Sequence, residues 1–297
     1  MTGSGRPGAG RDLVIVGAGG FARETAQAVR AAAAADLAAG RPPRLRLLGH
    51  LDDDPALHGR EVDGTPVLGG CERVRDLPDA QVVVCVGSPR DHAVRARLVR
   101  RLALPDERYA TVTHPSAAVS ESSSAGPGSV LLAHCALTAA VRLGAHVAVM
   151  PHAVLTHDDV AEDFVTIASG VRLGGGVRLA RGCYVGAGAL VREYVTVGAW
   201  SLIGMGAAVL GDVPPGEVWV GSPARRLRAA GPAESRELRE QPERHASGEQ
   251  NGPHDTGAGE PYGPGGRDSR GAGRGQSPVG VIGAGPEPAT RRGSPAV

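Results

Sequence analysis

Between Val119 and Pro214 an aliphatic side chain returns at every sixth position, and the chain divides into sixteen hexapeptides without an insertion. Their first residues begin Val119, Ala125, Leu131 and end Val197, Ile203, Val209. Fourteen of these sixteen are Val, Leu or Ile and two are Ala, whereas the third and fourth positions hold no Val, Leu or Ile in thirty-two places. A six-residue period fits neither a helix nor an alternating strand. It fits a chain that turns a corner every six residues and winds a triangular coil. Three hexads make a coil of eighteen residues, so the segment predicts a parallel β-helix in which residues eighteen apart stack at the strand spacing of ~4.8 Å.

The first position of each hexad points into the prism, and the fifth must also fit inside, near a corner. Apart from Asp159, every fifth residue is small or β-branched, including Cys135 and Cys183. Asp159 is the anomaly, because an unpaired inward carboxylate is costly. The register therefore predicts a distorted corner there, or a hydrogen-bonded Asp that braces the neighbouring loop. Glycines such as Gly126, Gly144, Gly176 and Gly182 crowd the second and fourth positions. They suit corners through positive φ and close backbone approach.

Upstream, DLVIVGAGGFARETAQAVRAAAAADL reads as strand, Gly-rich turn and Ala-rich helix. A second strand ends in LDDD; a loop containing GTPVLGG leads to a short helix; QVVVCVGSPRD gives a third strand and HAVRARLVRRLAL a helix. Strands alternating with helices predict a small Rossmann-like parallel sheet over residues 12–110. The β-helix domain is expected over 111–228, with disordered segments at 1–11 and 229–297, the latter rich in Gly, Pro, Arg, Ser and Glu. A short helix over AESRELRE is compatible with that composition.

Composition narrows the function classes. The 297 residues carry a formal net charge of +1, which gives no general argument for nucleic acid or an anionic membrane. Aromatic residues make up only 3%, as a core of Val, Leu, Ile and Ala implies. No apolar run is long enough to span a bilayer, and MTGSGRPGAGRD lacks the apolar stretch of a secretory signal, so a cytoplasmic location is expected. The four cysteines show no close pairing, and Cys85, Cys135 and Cys183 read as core residues rather than a disulfide or zinc framework.

Two places carry chemistry. The turn VIVGAGGFARE follows a strand and opens a helix, where unpaired N–H groups favour an anion such as a diphosphate. Gly19 and Gly20 permit its approach, and Asp52, Asp53 and Gly87 end the next two strands on the same sheet edge, so a nucleotide-linked ligand is favoured over a plain tight turn. The second place is LTHDDVAEDF. His157 and Asp158 occupy third and fourth positions and stand on an outward corner. Imidazole suits proton transfer near neutral pH, and an adjacent carboxylate orients it. Gly175 lies eighteen residues on, where its N–H could face an oxyanion. Corner histidines also occur at His134, His146 and His152, so a solvated turn residue remains the competing reading of His157. A three-histidine zinc set is incomplete, because the position thirty-six before His152 is Ser116, and no metal is expected.

In combination, GAGGFARE, LDDD, GTPVLGG, VVVCVGSP, THPSA, THDDVAEDFV and a closing VGSPARRL resemble the sialic acid O-acetyltransferase family, which includes the PglD-type UDP-amino-sugar N-acetyltransferases. The resemblance covers about residues 13–226. It implies a left-handed winding of the coil, a sugar- or nucleotide-binding N-terminal domain, and a homotrimer with acetyl-CoA between neighbouring β-helices. It also implies a general base at His157 supported by Asp158. Substrate contacts fall on Gly19, Gly20, Phe21, Asp52, Asp53 and Gly87, and acetyl-donor contacts on Gly175, Ala187 and Met205. Two departures stand out. Thr166 occupies the position of a coenzyme-touching histidine, and Phe21 a position that relatives often fill with a small polar residue or histidine. The expected activity is acetyl transfer from acetyl-CoA to a sugar hydroxyl or amine. A non-catalytic nucleotide-sugar scaffold of the same fold is the alternative.

Overall fold

The computed structural model describes residues 10–240. Residues 1–9 and 241–297, and with them most of both segments expected to be disordered, lie outside the described residues.

The N-terminal domain is a five-stranded sheet in the order β3-β4-β2-β1-β5. Its strands are β1 (Arg11–Val16), β2 (Leu45–Leu51), β3 (Glu61–Val62), β4 (Thr65–Gly69) and β5 (Gln81–Val84), with helices α1 (Gly20–Ala38) and α2 (Val94–Leu102). All pairings are parallel except β3 with β4. The GTPVLGG segment, expected as a loop, supplies β4 beside β2. The reason is local: Asp63 and Gly64 both take positive φ, at 49° and 69°. Two such residues make the tight hairpin turn whose twist matches the flanking strands. Arg11, expected in the disordered leader, instead opens β1 and donates its N–H to Arg44 O at 2.9 Å.

The hexads form three parallel sheets that stack residues eighteen apart, as in Ala118, Ala136, Val154 and Arg172 on one face. This run of parallel strands is consistent with a left-handed β-helix. Each strand is only two residues long, from the sixth position of one hexad to the first of the next. The first and fifth positions, from Leu131 to Val213, fill one continuous core. Each such aliphatic adds roughly 1.5–3 kcal/mol by leaving water.

Glycine has two separate roles at the corners. Fourth-position residues from Gly128 to Gly206 are left-handed whatever their identity: His134, Ala140, His146, His152, Asp158, Phe164, Tyr194 and Trp200 have φ between 53° and 63°. Second-position glycines are not left-handed. A Cβ on Gly126 would stand 2.7 Å from the backbone of Gly144, and one on Gly186 2.7 Å from Met205 N, so there the coils themselves come too close for a side chain.

The three prism faces differ outside. The third face, through Val112, Val130 and Ala148, is covered by the N-terminal domain: Val112, Val130, Leu132 and Met150 pack with Ala22, Ala26 and Val29 of α1 and with Leu13 and Ile15 of β1. The alanines of α1 let the helix fit between the sheet and the coil. At the corner between the second and third faces, His146 stacks on Phe164 at 5.1 Å and meets Tyr109 edge-on at 4.6 Å. Ala93, at the N-cap of α2, and Ala96 within it reach Phe164 and Trp200 at the same corner. The second face is polar, through Ser124, Arg142 and Arg178. The first face shows Ala118, Ala136, Val154, Leu190 and Ala208 around a single Arg172.

Of the segment expected to be disordered from 229 onward, residues 229–240 are described and ordered, and they include the short helix that AESRELRE allowed. Residues Arg225–Ala229 pair antiparallel with Glu217–Val220, and α3 (Pro232–Glu240) docks on α2. Glu237 makes two bonds to Arg100, at 2.7 and 2.8 Å, and Glu234 accepts from the His92 N–H at 3.2 Å. Both glutamates are buried. The docking is ionic, so a reading of apolar periodicity does not detect it. Among the described residues no helix is long and apolar enough to cross a membrane, and all four cysteines are buried and unpaired.

Gly182 and Gly188 share nearly the same φ, 67° and 68°, but a Cβ at Gly182 would overlap the Trp200 ring, whereas one at Gly188 meets nothing within 4 Å. Gly188→Ala should therefore cost only the left-handed penalty, about 1 kcal/mol, and Gly182→Ala about 1–3 kcal/mol more. Urea unfolding of the two variants measures the difference.

Candidate active site

The corner between the first and second faces carries 157–158, 175–176 and 193–194 on successive coils. His157 donates or accepts through Nδ1 to Asp158 Oδ2 at 2.9 Å, with both side chains exposed. If Asp158 is a carboxylate, Nδ1 carries the proton and Nε2 keeps its lone pair. The ring edge bearing Nε2 and Cε1 lies against Gly175, where any side chain would overlap it. Gly174 and Gly176 donate to Val191 O and His157 O, at 2.8 and 2.9 Å, which leaves the intervening Gly175 N–H outside this backbone ladder. The third level is Tyr194, 77% exposed and seated over Gly176. Sequence reading missed Tyr194, although it lies eighteen residues after Gly176 and thirty-six after Asp158.

Asp159 is fully buried and hydrogen-bonded. Its Oδ2 accepts the Thr156 N–H at 2.8 Å and its Oδ1 the Val177 N–H at 2.8 Å. One carboxylate thus closes the turn that carries His157 and ties it to the coil that carries Gly175. Burial outweighs these two donors and pushes its pKa up to about 6.

At the N-terminal sheet edge, Gly19 caps α1 without a side-chain bond, and the first turn has no acidic residue. Nothing approaches a Cβ on Gly19 or Gly20 within 4 Å, so the space before the helix N-terminus is open. The two acidic residues are more committed than expected. Asp52 accepts Ala18 N–H at 2.8 Å and Asp54 N–H at 3.0 Å, while Asp53 accepts Cys71 N–H at 2.9 Å and pairs with Arg101 at 2.6 Å. Asp52 therefore shapes the Gly-rich turn, and Asp53 ties β2 to the elements behind it. Beneath the turn lies a buried histidine that the sequence did not single out: His50 Nδ1 bonds Gly17 O at 2.9 Å. Its burial holds its pKa below the usual value. Phe21 packs against the apolar cluster between sheet and coil, and Gly87, just after β5, is exposed.

The remaining candidates stand elsewhere. Ala187 and Met205 line the corner between the third and first faces, with Met205 79% exposed. Thr166 is on the third face, its hydroxyl accepting from Arg95 Nη2 at 2.8 Å. His134 and His152 stack at 5.2 Å, but at a different corner from His157. Among the described residues no three His, Cys, Asp or Glu side chains converge as a metal set. Within one chain, the His157 corner is opposite the face that the N-terminal domain covers.

Known proteins resemble this chain in sequence and fold. Residues 12–102 match the family model of the PglD N-terminal domain. The GDP-perosamine N-acetyltransferase of Escherichia coli O157:H7 is 27% identical over 224 residues, which is 72% of this chain and 95% of that protein. The acetyltransferase domain of PglB from Neisseria gonorrhoeae, solved with acetyl coenzyme A, is 30% identical with a TM-score of 0.63, over 74% of this chain and all of that one. PerB of Caulobacter crescentus, solved with CoA and GDP-perosamine, is 28% identical with a TM-score of 0.62, over 73% and 97% of the two chains.

Asp159 generates a pH signature. Its pKa is higher folded, at about 6, than in an unfolded chain, at about 3.9. Its contribution to stability is therefore fully present below pH ~4 and is lost as pH rises through ~6. The stability of the wild type relative to Asp159→Asn should fall across that window in urea titrations, and a flat difference would contradict the buried carboxylate. The PglB domain is matched over its whole length at 30% identity, and the chain belongs to the PglD-like family of hexapeptide-repeat acetyltransferases.

Proposed function

We propose that the protein moves an acetyl group from acetyl-CoA to an amine or hydroxyl of a nucleotide-linked sugar. The observation that carries this reading is the His157–Asp158 pair at 2.9 Å with Nε2 against a bare Gly175. Acetyl-CoA supplies an acyl group activated as a thioester. His157 takes the acceptor proton at Nε2 as the acceptor nitrogen or oxygen bonds to the acyl carbon. Asp158 holds the Nδ1 proton and stabilises the imidazolium. The Gly175 N–H faces the oxygen on which negative charge develops, and the absence of a Cβ leaves the room that oxygen needs. The proton on Nε2 then goes to the departing thiolate.

The sugar would bind at the open N-terminus of α1, with Gly19, Gly20, Phe21 and Gly87 around it and Asp52 holding the turn in shape. Relatives bearing GDP-perosamine or acetyl-CoA support both halves of the reading. Ala187 and Met205 line the donor channel, and Thr166 contributes from the third face.

A homotrimer completes the site. The base corner of one chain is opposite its own sugar domain, so the base and the crevice that serve one acceptor come from two copies. The first face supports this assembly: Leu190 is 48% exposed and Leu210 51%, beside exposed Tyr194 and Met205, a surface that water disfavours. Leu190→Glu should convert the trimer to monomers in sedimentation velocity and abolish turnover. A wild-type chain that sediments as a monomer with full activity would sink the composite site.

Thiol release with acetyl-CoA and GDP-, UDP-, CMP- or dTDP-linked amino sugars tests the activity. His157→Ala should lose about 100-fold or more in kcat, and Asp158→Asn about tenfold, with folding and assembly intact. Full CoA release by His157→Ala would reject the base. Nucleotide-sugar binding without acetyl-CoA binding in calorimetry would identify a scaffold instead.

A further inference from the structure

Among the described residues, a buried cation without a counter-ion sits at the joint between the two domains. Arg95, in the first turn of α2, is 2% exposed. Its Nη2 donates to Phe164 O at 2.9 Å, Val165 O at 3.2 Å and Thr166 Oγ1 at 2.8 Å, and its Nη1 to Val86 O at 3.3 Å. Every one of these acceptors is neutral, and Nε is enclosed with no partner.

Burying an ion with only neutral partners is a poor source of stability, since apolar replacements of buried charges are often neutral or stabilising. Placement accounts better for an arginine here. Val86 immediately precedes Gly87 at the ligand edge of the sheet, and Thr166 lies on the coil face beneath. A planar guanidinium has its donors in a fixed fork, so it sets the two ends at one separation in a way a flexible ammonium or an apolar chain does not. The apolar contacts of the joint, Ala93 and Ala96 with Phe164 and Trp200 and the alanines of α1 with Val130 and Leu132, resist separation but are not directional as the guanidinium bonds are.

We propose that Arg95 is a positioning residue for acetyl transfer, holding the acceptor crevice at a fixed distance from the coil. The proposal rests on the acetyl-transfer reading above. A misplacement of about 1 Å far from the chemistry can cost ~100-fold in rate. Removing the strut should therefore lower kcat while leaving each substrate's own binding contacts in place.

The test uses the full chain, with Arg95→Met and Arg95→Lys, steady-state kinetics in both substrates and thermal melting. For Arg95→Met the expected result is a kcat reduced roughly 10- to 100-fold and both KM values within about threefold, in a variant whose melting temperature stays well above that of the assay. Arg95→Lys, whose single ammonium cannot span both ends, should recover only part of kcat. A kcat within about twofold of wild type in Arg95→Met overturns the proposal, as does a loss confined to the nucleotide-sugar KM or one that follows a fall in melting temperature. Should Arg95→Met not fold, Arg95→Lys decides by the same split at smaller size, and an unchanged kcat overturns the proposal. A wild-type chain with no turnover on any nucleotide-linked amino sugar overturns the acetyl-transfer reading and this proposal together, whereas equal turnover in wild type and variants overturns this proposal alone.

Discussion

The stacking of coils eighteen residues apart is the constraint on which the rest of the molecule depends. Each strand has two residues, too few to persist alone, and is held only because the coils above and below donate and accept, as in Gly174 N–H to Val191 O and Gly176 N–H to His157 O. A slip of one residue would turn the aliphatic first position outward and the polar corner inward. The same ladder fixes the chemistry. His157 meets Gly175 because the two are one coil apart, and Asp159 bonds Thr156 in its own turn and Val177 in the next coil. Ladder and candidate corner are therefore one object, and a change that loosens the stack displaces His157 from the glycine it faces.

A triangular prism then forces a division of labour. One face is consumed by the N-terminal domain, which leaves a corner opposite to it for the His157–Asp158 pair and an apolar face with nothing over it in the single chain. The alanines of α1 allow the cover to sit close on the third face, since larger side chains would lift the sheet away from Val130 and Leu132. Closeness of that cover and distance of the base corner follow from the same geometry. They are why one chain carries the His157 corner and the open N-terminus of α1 without bringing them together.

Legibility in the sequence followed the type of force involved. Periodic burial was readable: the hexad columns placed His157, Asp158, Gly175 and the inward Asp159 where the coil holds them, and the strand–turn–helix at Gly19 emerged as α1 with a bare N-terminus. Interactions without a period were not. Asp52 and Asp53 looked like free carboxylates at a strand end, but backbone N–H groups and Arg101 occupy them. β4 was hidden because its strand signal is broken by Pro66, while the Asp63–Gly64 turn that announces it is only two residues long. Arg95 belongs to an Arg-rich helix face that reads as solvated, and nothing in its spacing distinguishes it from Arg97 or Arg101. Tyr194 was overlooked although the register places it directly over Gly176.

The described charged contacts at the domain joint share a logic with Asp159. Arg95 to the coil carbonyls, Glu234 to His92 and Glu237 to Arg100 are buried wholly or on one side, in a molecule whose other large interfaces are aliphatic. Such contacts contribute little net stability but are strongly directional. Aliphatic and alanine surfaces resist separation yet tolerate sliding, so orientation must come from elsewhere. α3 extends this to the chain beyond Ala229: its two glutamates hold α2 from the outside while Arg95 holds it from the inside. The N-terminal domain is thus fixed to the coil from both sides of one helix, and the segment just beyond Ala229 is part of what holds it there.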